Sequence, residues 1–351
     1  MPTIAISSEQ QVRLARVLRE VQLPNATPTP LAGDTNDTWR IGDVILRICW
    51  RGDRGRFTRE AAVLKTLPPG VPHARVLDTG SLDDAGLPGW PGTSRSGRSE
   101  HGPALAWQVT RVLPGRPLVE RLGGMSRAQR RRAVTQVGHA LAALHAHRFP
   151  ARVKASLAAP RPVGEPTTQA LIGADIHPLP HQRALLLVEH ARRAPQIDGG
   201  LLDDLAARLR ELAPIDPLAD GSPGVCVHGD AHPGNVLWHD GRVTALLDFE
   251  WARLGPPDLD LATYLRGNLG VPGLTEADRV DIFDWLAAAH PVAFQHPDLV
   301  RRLWLYQLTY SLRHLMIWPP SDDRQLAEHS MAVLRRIVAS PVHLSQLLRR
   351  S

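Results

Sequence analysis

The stretch VCVHGDAHPGNVLWHDGRVTALLDFE, residues 225–250, constrains the fold more than any other part of this chain. Three short apolar runs alternate with turn residues. VCV reads as a buried strand, His228-Gly229-Asp230 as the turn leaving it, and Pro233-Gly234 as a tightening of the loop. Asn235 opens a second strand, NVLWH, and Asp240-Gly241 is a strong hairpin signal. VTALLDF is the third strand, with Asp248 at its end. The hairpin returns Asp248 to the neighbourhood of Asp230 and Asn235, so three oxygen-bearing side chains share one mouth. Singly, each is an ordinary turn residue. Together they form the set that phosphoryl transfer needs. Magnesium takes carboxylate and amide oxygens alongside phosphate and water, which suits Asn235 and Asp248. A separate carboxylate orients the acceptor hydroxyl and takes its proton, which suits Asp230.

The chain around this segment divides into two parts. Apolar residues at helical spacing predict a helix over 9–22, ended by Pro24, Pro28 and Pro30. LAGDTNDTWRIGDVILRICW follows, with Gly33-Asp34 and Gly42-Asp43 as turns between strand-like runs. A helix is expected at 55–67, a strand and turn in VPHARVLDTG, and a further strand in LAWQVTRVLPGRPL, closed at Pro114-Gly115. Residues 81–103 are rich in Gly, Ser, Pro and charge and read as a long mobile loop. From about 118 the pattern is mostly helical. SRAQRRRAVTQVGHALAALHAH is a long amphipathic helix with Ser126 as N-cap. Further helical stretches fall at about 180–213, 258–268, 275–290, 297–317 and 322–347, while 151–180 is Pro-rich and irregular.

HGDAHPGN followed by LLDFE resembles the catalytic and metal-binding segments of the aminoglycoside phosphotransferase and choline kinase-like family. The resemblance implies an α+β, bilobal protein kinase-like fold, with a small β-rich N-lobe over residues 1–112 and a larger helical C-lobe over 113–351. The N-lobe would bind nucleotide; the C-lobe would carry the catalytic and acceptor-binding groups. It further implies that Asp230 is the catalytic base, that His228 braces its loop, and that Asn235 and Asp248 hold Mg2+. Asp260, opening the DLA run, would support the catalytic loop from a helix start. LAGDTNDTWRIG is similar to the family's nucleotide loop, which puts Gly33 and Asn36 beside phosphate. Arg47 in VILRI stands where protein kinases use Lys, and Glu60 matches the residue that pairs with it. Thr110, Arg111 and Val112 fall in the segment that links the lobes and binds the adenine edge through backbone groups. His145 reads as a packing or capping residue, and Trp251 as a wall of the cleft or of the core. Glu250 is a secondary candidate for a second metal or the acceptor.

These readings imply ATP as donor, with GTP also in range, and a small hydroxylated acceptor: an aminoglycoside, another antibiotic, a sugar or an amino alcohol. A polycationic acceptor wants an acidic pocket, for which Asp278, Asp281 and Asp284 are the candidates. The formal charge of +6 argues against a strongly cationic substrate. One rival reading keeps the reaction and makes the acceptor a Ser or Thr of a peptide, with a partner protein in a maturation complex. Another is a nucleotide-binding pseudokinase scaffold, against which the retention of Asp230, Asn235 and Asp248 stands. The basic residues are scattered and not interleaved with aromatics, which disfavours nucleic acid. No apolar run is long enough to span a membrane, and the N-terminus has no signal-like h-region, so a cytoplasmic protein is expected. Cys49 and Cys226 both lie in apolar runs and read as buried thiols of a reducing compartment.

Overall fold

A computed structural model describes residues 6–23, 25–31, 36–50, 53–82, 105–158, 178–194, 197–218, 224–317 and 324–348. The chain opens with helix α1 (Ser8–Leu18), where Ser7 and Gln10 cap each other's backbone N–H groups. Strands β1 (Thr29–Leu31), β2 (Asp37–Ile41) and β3 (Val44–Cys49) come next. Helix α2 (Arg56–Leu64) and strands β4 (Val76–Leu82) and β5 (Leu105–Arg111) complete the small lobe. The strands form one antiparallel sheet in the order β1-β2-β3-β5-β4. Gly42 turns the β2–β3 hairpin at φ 60°, a conformation that costs glycine little.

Strand alternation gives the sheet two different faces. Trp39 and Ile41 of β2, Val44, Leu46 and Ile48 of β3, and Leu105, Trp107 and Val109 of β5 point to one side. There they bury against Leu14 and Val17 of α1. The residues between them, Thr38, Ile45, Arg47, Gln108 and Thr110, face the cleft between the lobes. Arg47 stands directly across from Gln108 in the β3–β5 register.

The large lobe begins with the short strand β6 (Arg116–Pro117) and helix α3 (Val119–Leu122). Helix α4 (Arg127–Ala146) starts at the Ser126 cap, reinforced by Gln129. Helices α5 (Ala151–Ala158), α6 (His181–Ala191) and α7 (Gly199–Leu212) follow. Strand β7 (Val225–Val227) pairs antiparallel with β10 (Arg253–Gly255). Between them lies the hairpin β8 (Val236–His239) and β9 (Arg242–Leu246). Asp240 and Gly241 both have positive φ, 45° and 76°, as a type I′ turn requires. The chain ends in α8 (Asp258–Leu269), α9 (Glu276–Ala289), α10 (Leu299–Ile317), α11 (Arg324–Ala339) and α12 (Val342–Leu347).

One apolar core runs through this lobe and takes in Val63, Leu64 and Val71 from the small lobe. Each large aliphatic side chain fully buried there contributes roughly 1.5–3 kcal/mol, so α2 is fastened to the large lobe as well as to its own sheet. The Leu246 N–H also donates to the carbonyl of Pro72 at 2.8 Å, tying the hairpin to the small lobe.

Several expected boundaries move. The stretch 180–213 is two helices, because Arg192 ends α6 and Asp198 caps a new start at α7. The segment 322–347 also breaks, at Ser340-Pro341, since proline cannot continue the ladder. The Pro-rich region opens with a helix at 151–158, and residues 159–177 lie outside the described residues. Strand β4 runs on through Leu82, into the stretch expected to be loop; residues 83–104 lie outside the described residues. β9 stops at Leu246, two residues before Asp248, and β7 pairs with β10 rather than with the hairpin.

Candidate active site

Asp230 is set by a backbone turn held from beneath. Gly229 adopts φ 84°, and Asp260 at the start of α8 accepts the N–H groups of His228 and Gly229, each at 2.8 Å. Asp260 in turn accepts from His145 Nε2 at 2.9 Å, and His145 Nδ1 lies 2.7 Å from His290 Nε2. The proton positions follow. A neutral His145 that donates from Nε2 to the carboxylate accepts from His290 at Nδ1. Burial raises the Asp260 carboxyl, but His145 and His228 more than offset this and leave it below the ordinary range. Burial, with His145 beside it, pulls His290 down to about 4. His145 is thus more than the packing residue the sequence suggested, and nothing in the sequence tied it to His290, 145 residues away. His228 is fully buried against Phe249, ring centroids 4.3 Å apart, and burial lowers its pKa. Its Nδ1 accepts the Asp230 N–H at 3.2 Å.

Above this support, Asn235 Nδ2 donates to the Asp230 carboxylate at 2.9 Å and to its carbonyl at 3.0 Å. His232 Nδ1 accepts the Gly234 N–H at 3.0 Å, which leaves Nε2 facing Asp230 Oδ2 at 3.5 Å. Burial pushes Asp230 up, yet His232, Arg266 and His228 together hold it below its ordinary value. The Leu247 N–H donates to the Asn235 carbonyl at 2.8 Å, placing Asp248 next to this group. Asn235 closes a 3-10 turn ahead of β8 instead of opening the strand. Asp248 has φ 66°, unusual for a residue with a side chain and a strain the surrounding bonds must hold.

A second polar cluster lies across the cleft. Arg47 Nη1 donates to both Glu60 oxygens, at 3.0 and 2.8 Å. Arg47 Nη2 pairs with Asp248 and, at 3.0 Å, with Glu250. Glu60 also accepts the Phe249 N–H at 3.0 Å. Glu250 is not free for a second metal or an acceptor. It is buried against Arg47, Arg56 and Asn36, with Asn36 Nδ2 donating to it at 2.9 Å. Three carboxylates therefore surround two guanidiniums. Burial pulls the Arg47 pKa down, but Asp248, Glu60 and Glu250 overcome this and raise it. Burial raises Asp248 as well, and the repulsion of Glu250, Glu60 and Asp230 adds to it against the pull of Arg47. The excess negative charge and the unspent Asn235 Oδ1 suit a hard cation. The described residues hold no cluster of three or more His, Cys, Asp or Glu poised for a metal, so such an ion would complete its shell with phosphate and water.

Asp230, Asn235, Asp248 and Arg47 line one cavity of about 660 Å³ between the lobes. Asn36 lines it too, but gives its amide to Glu250 and accepts from Arg56 at 2.8 Å. Thr110 and Arg111, at the end of β5, and Val112 just past it also line the cavity. The Arg111 and Val112 N–H groups already donate to the carbonyls of Arg75 and Asp43, at 3.1 and 2.9 Å. Gly33 lies outside the described residues. Trp251 lines the cavity and is buried, with Arg56 over its ring at 5.1 Å. Gln108 was not singled out from the sequence. It faces the cavity, is buried, and neither of its amide atoms has a protein partner. The available signal was a lone amide inside the apolar run LAWQVT. Asp278 and Asp281 stay out of the cavity: they pair with Arg130 and Arg127 of α4, at 2.5 and 2.6 Å.

The model of the phosphotransferase enzyme family matches residues 27–295. Among curated proteins, a homoserine kinase of Gluconacetobacter diazotrophicus is 38% identical over 56 residues, 16% of this chain. That match spans only 17% of the relative's length. Among solved structures, the GDP and kanamycin complex of APH(2")-IIia superposes with a TM-score of 0.63 at 17% identity, covering 95% of this chain and 99% of that one. A thermostable mutant of aminoglycoside phosphotransferase APH(4)-Ia, with ADP and hygromycin B, gives 0.56 at 16% identity, covering 94% and 98%. At these identities the likeness establishes the fold: a protein kinase-like pair of lobes, five antiparallel strands above and helices below.

Proposed function

Since the chain belongs to the phosphotransferase enzyme family, we propose that it transfers the γ-phosphoryl group of ATP, or of GTP, to a hydroxyl of a small molecule. The supporting observation is the meeting of Asp230, Asn235, Asp248 and Arg47 in one inter-lobe cavity. Residues 1–112 serve as the nucleotide lobe, and residues 113–351 bring the catalytic and acceptor groups.

Asp230 accepts a hydrogen bond from the acceptor hydroxyl and aims its oxygen at phosphorus. The new O–P bond forms as the bond to the β–γ bridging oxygen breaks. The nucleoside diphosphate leaves with that electron pair, and the hydroxyl proton goes to Asp230. A carboxylate held below its ordinary pKa is a weak base. That suits a transition state in which positioning counts for more than early proton removal. Asn235 fixes the carboxylate through its amide N–H. Arg47 grips phosphate oxygens in a bidentate fork, while Glu60 holds the guanidinium in place. Asp248 and the Asn235 Oδ1 would hold Mg2+, which when bound neutralises charge on the phosphate chain. Linker backbone groups near Thr110–Val112 seat the purine edge.

The test is turnover of ATP and GTP with Mg2+ against aminoglycosides, sugars, amino alcohols, hydroxy amino acids and Ser/Thr peptides, with Asp230→Asn as control. Acceptor-dependent transfer that disappears in the variant is expected. Transfer that survives Asp230→Asn unchanged would remove the assigned base.

A further inference from the structure

The two oxygens of the Asp230 carboxylate have different surroundings. Asn235 Nδ2 donates to Oδ2 at 2.9 Å. His232 Nε2 approaches the same oxygen, at 3.5 Å. No hydrogen bond from the described residues reaches Oδ1.

His232 is itself closely placed. Pro233 restricts it to extended backbone, and it has φ −120° and ψ 163°. Its N–H donates to the Asp230 carbonyl and its carbonyl accepts the Asn235 N–H, both at 2.9 Å. The ring folds over Gly234. A Cβ at position 234 would stand 2.6 Å from His232 Cε1 and 2.8 Å from Nδ1, where no packed side chain can sit. Gly234 does not have a positive φ, so its backbone conformation does not demand glycine. The imidazole does. Nδ1 accepts the Gly234 N–H at 3.0 Å, so the ring carries its proton on Nε2, the nitrogen that faces Asp230. The ring lines the inter-lobe cavity and its side chain is 34% exposed. Contacts of this kind are commonly long without substrate and tighten when it binds.

We propose that His232 is a positioning residue for Asp230: its Nε2–H, together with the Asn235 amide, holds Oδ2 and turns Oδ1 towards the acceptor hydroxyl. The inference rests on the phosphotransferase reading above. Oδ1 takes the hydroxyl proton as the new O–P bond forms. His232 keeps its own proton throughout and relays none, because Gly234 engages the one lone pair the ring has to offer.

Three variants separate the donor from the cap, each read as kcat and KM with Mg2+, ATP or GTP, and the first acceptor that the panel above yields. His232→Asn keeps an oxygen for the Gly234 N–H but is too short to reach Asp230. It should fold, keep the nucleotide KM and lose about 10- to 100-fold in kcat, the range of a charge-assisted hydrogen bond. His232→Gln, whose longer side chain can carry an N–H to Asp230, should regain much of that loss. Gly234→Ala should lower kcat by displacing the ring, and should add little in a His232→Ala background. An unchanged kcat in His232→Asn overturns the role and leaves the kinase standing. So does a loss confined to the nucleotide KM, or a Gly234→Ala loss that persists in full without the ring. Should Gly234→Ala fail to fold, the His232 variants decide. The link to Asp230 is read in an Asp230→Asn background, with radiolabelled nucleotide to follow slow transfer. There His232→Asn should change kcat by less than about twofold, and a second full loss would mean that His232 acts elsewhere. Absence of transfer to every acceptor by the wild type overturns the phosphotransferase reading and this role with it.

Discussion

Two polar networks flank the same cavity and are built on opposite plans. Beneath Asp230, the chain from Asp260 through His145 to His290 is buried, and its links run in one direction. The carboxylate of Asp260 ends it, and both ring nitrogens of His145 meet a partner. Across the cleft, Glu60, Asp248 and Glu250 crowd around Arg47 and Arg56 with a negative charge left over. The first network has no reason to change when a ligand arrives. The second has every reason to, because a polyanion competes for Arg47 and a cation competes for Asp248. Under the proposed function, a single site thus separates the groups that hold geometry from the groups that answer to substrate.

The sharpest way to break this contrast is Asp230→Asn. It should lower kcat by about 10³-fold or more while nucleotide affinity changes little, because the charge-poor side is where chemistry is aimed. Nucleotide affinity that falls in parallel would merge the two networks into one. Arg47→Gln comes next and strikes the other side. Removing one partner of a buried cluster costs about 3–5 kcal/mol, and nucleotide binding should weaken about 10- to 100-fold. Burial already raises Glu60, and losing Arg47 raises it further. A group whose folded pKa is raised gives stability at low pH that is lost as pH rises. The variant should therefore denature more easily at pH 8 than at pH 5, which melting curves at both will show. Asp248→Ala should do the reverse to the protein without ligand, leaving its Tm level or higher because repulsion is relieved. Magnesium-dependent nucleotide binding should go, as calorimetry would detect.

His290→Leu probes the closed network. It leaves the His145 Nδ1 acceptor unmet, at a cost of about 1–3 kcal/mol. The kcat should fall several-fold with the nucleotide KM unchanged, and His290→Gln, which keeps a donor, should recover much of it. The smallest effect is on pH. His290 is held neutral down to about 4, against an unfolded value near 6.5. Its stability contribution is present above about 6.5 and is lost as pH falls towards about 4. A Tm-against-pH slope in that window that persists in His290→Gln would show that the histidine is not its source.

The folding of the segment from Asp230 to Asp248 was legible because its information is local. Asp240-Gly241 specifies its own turn, and the apolar runs on either side specify the hairpin that brings Asp248 back. The Arg47–Glu60 pair was legible from a strand and a helix thirteen residues apart. The connections across the cleft were not. Asn36 meets Glu250 across 214 residues, and Glu60 meets the Phe249 backbone across 189. Glu250 looked available for a ligand because Asp248 stands two residues before it in sequence, whereas its neighbours in space are arginines. Asp278 and Asp281 misled for a related reason: helix spacing puts them on a face but does not say which helix lies opposite.

The two cysteines have a practical consequence. Cys49 ends β3 in the small lobe and Cys226 sits in β7, just before the His228–Asp230 turn; both are buried, and neither forms a disulfide. Burial, with Asp260 nearby, pushes the Cys226 thiol well above its usual range, so it stays unreactive in place. A water-soluble alkylating reagent reaches either sulfur only when that lobe opens. With one thiol in each lobe and no others, the chain carries a separate clock for each half. Mass spectrometry of the two peptides would time their opening independently, with and without nucleotide.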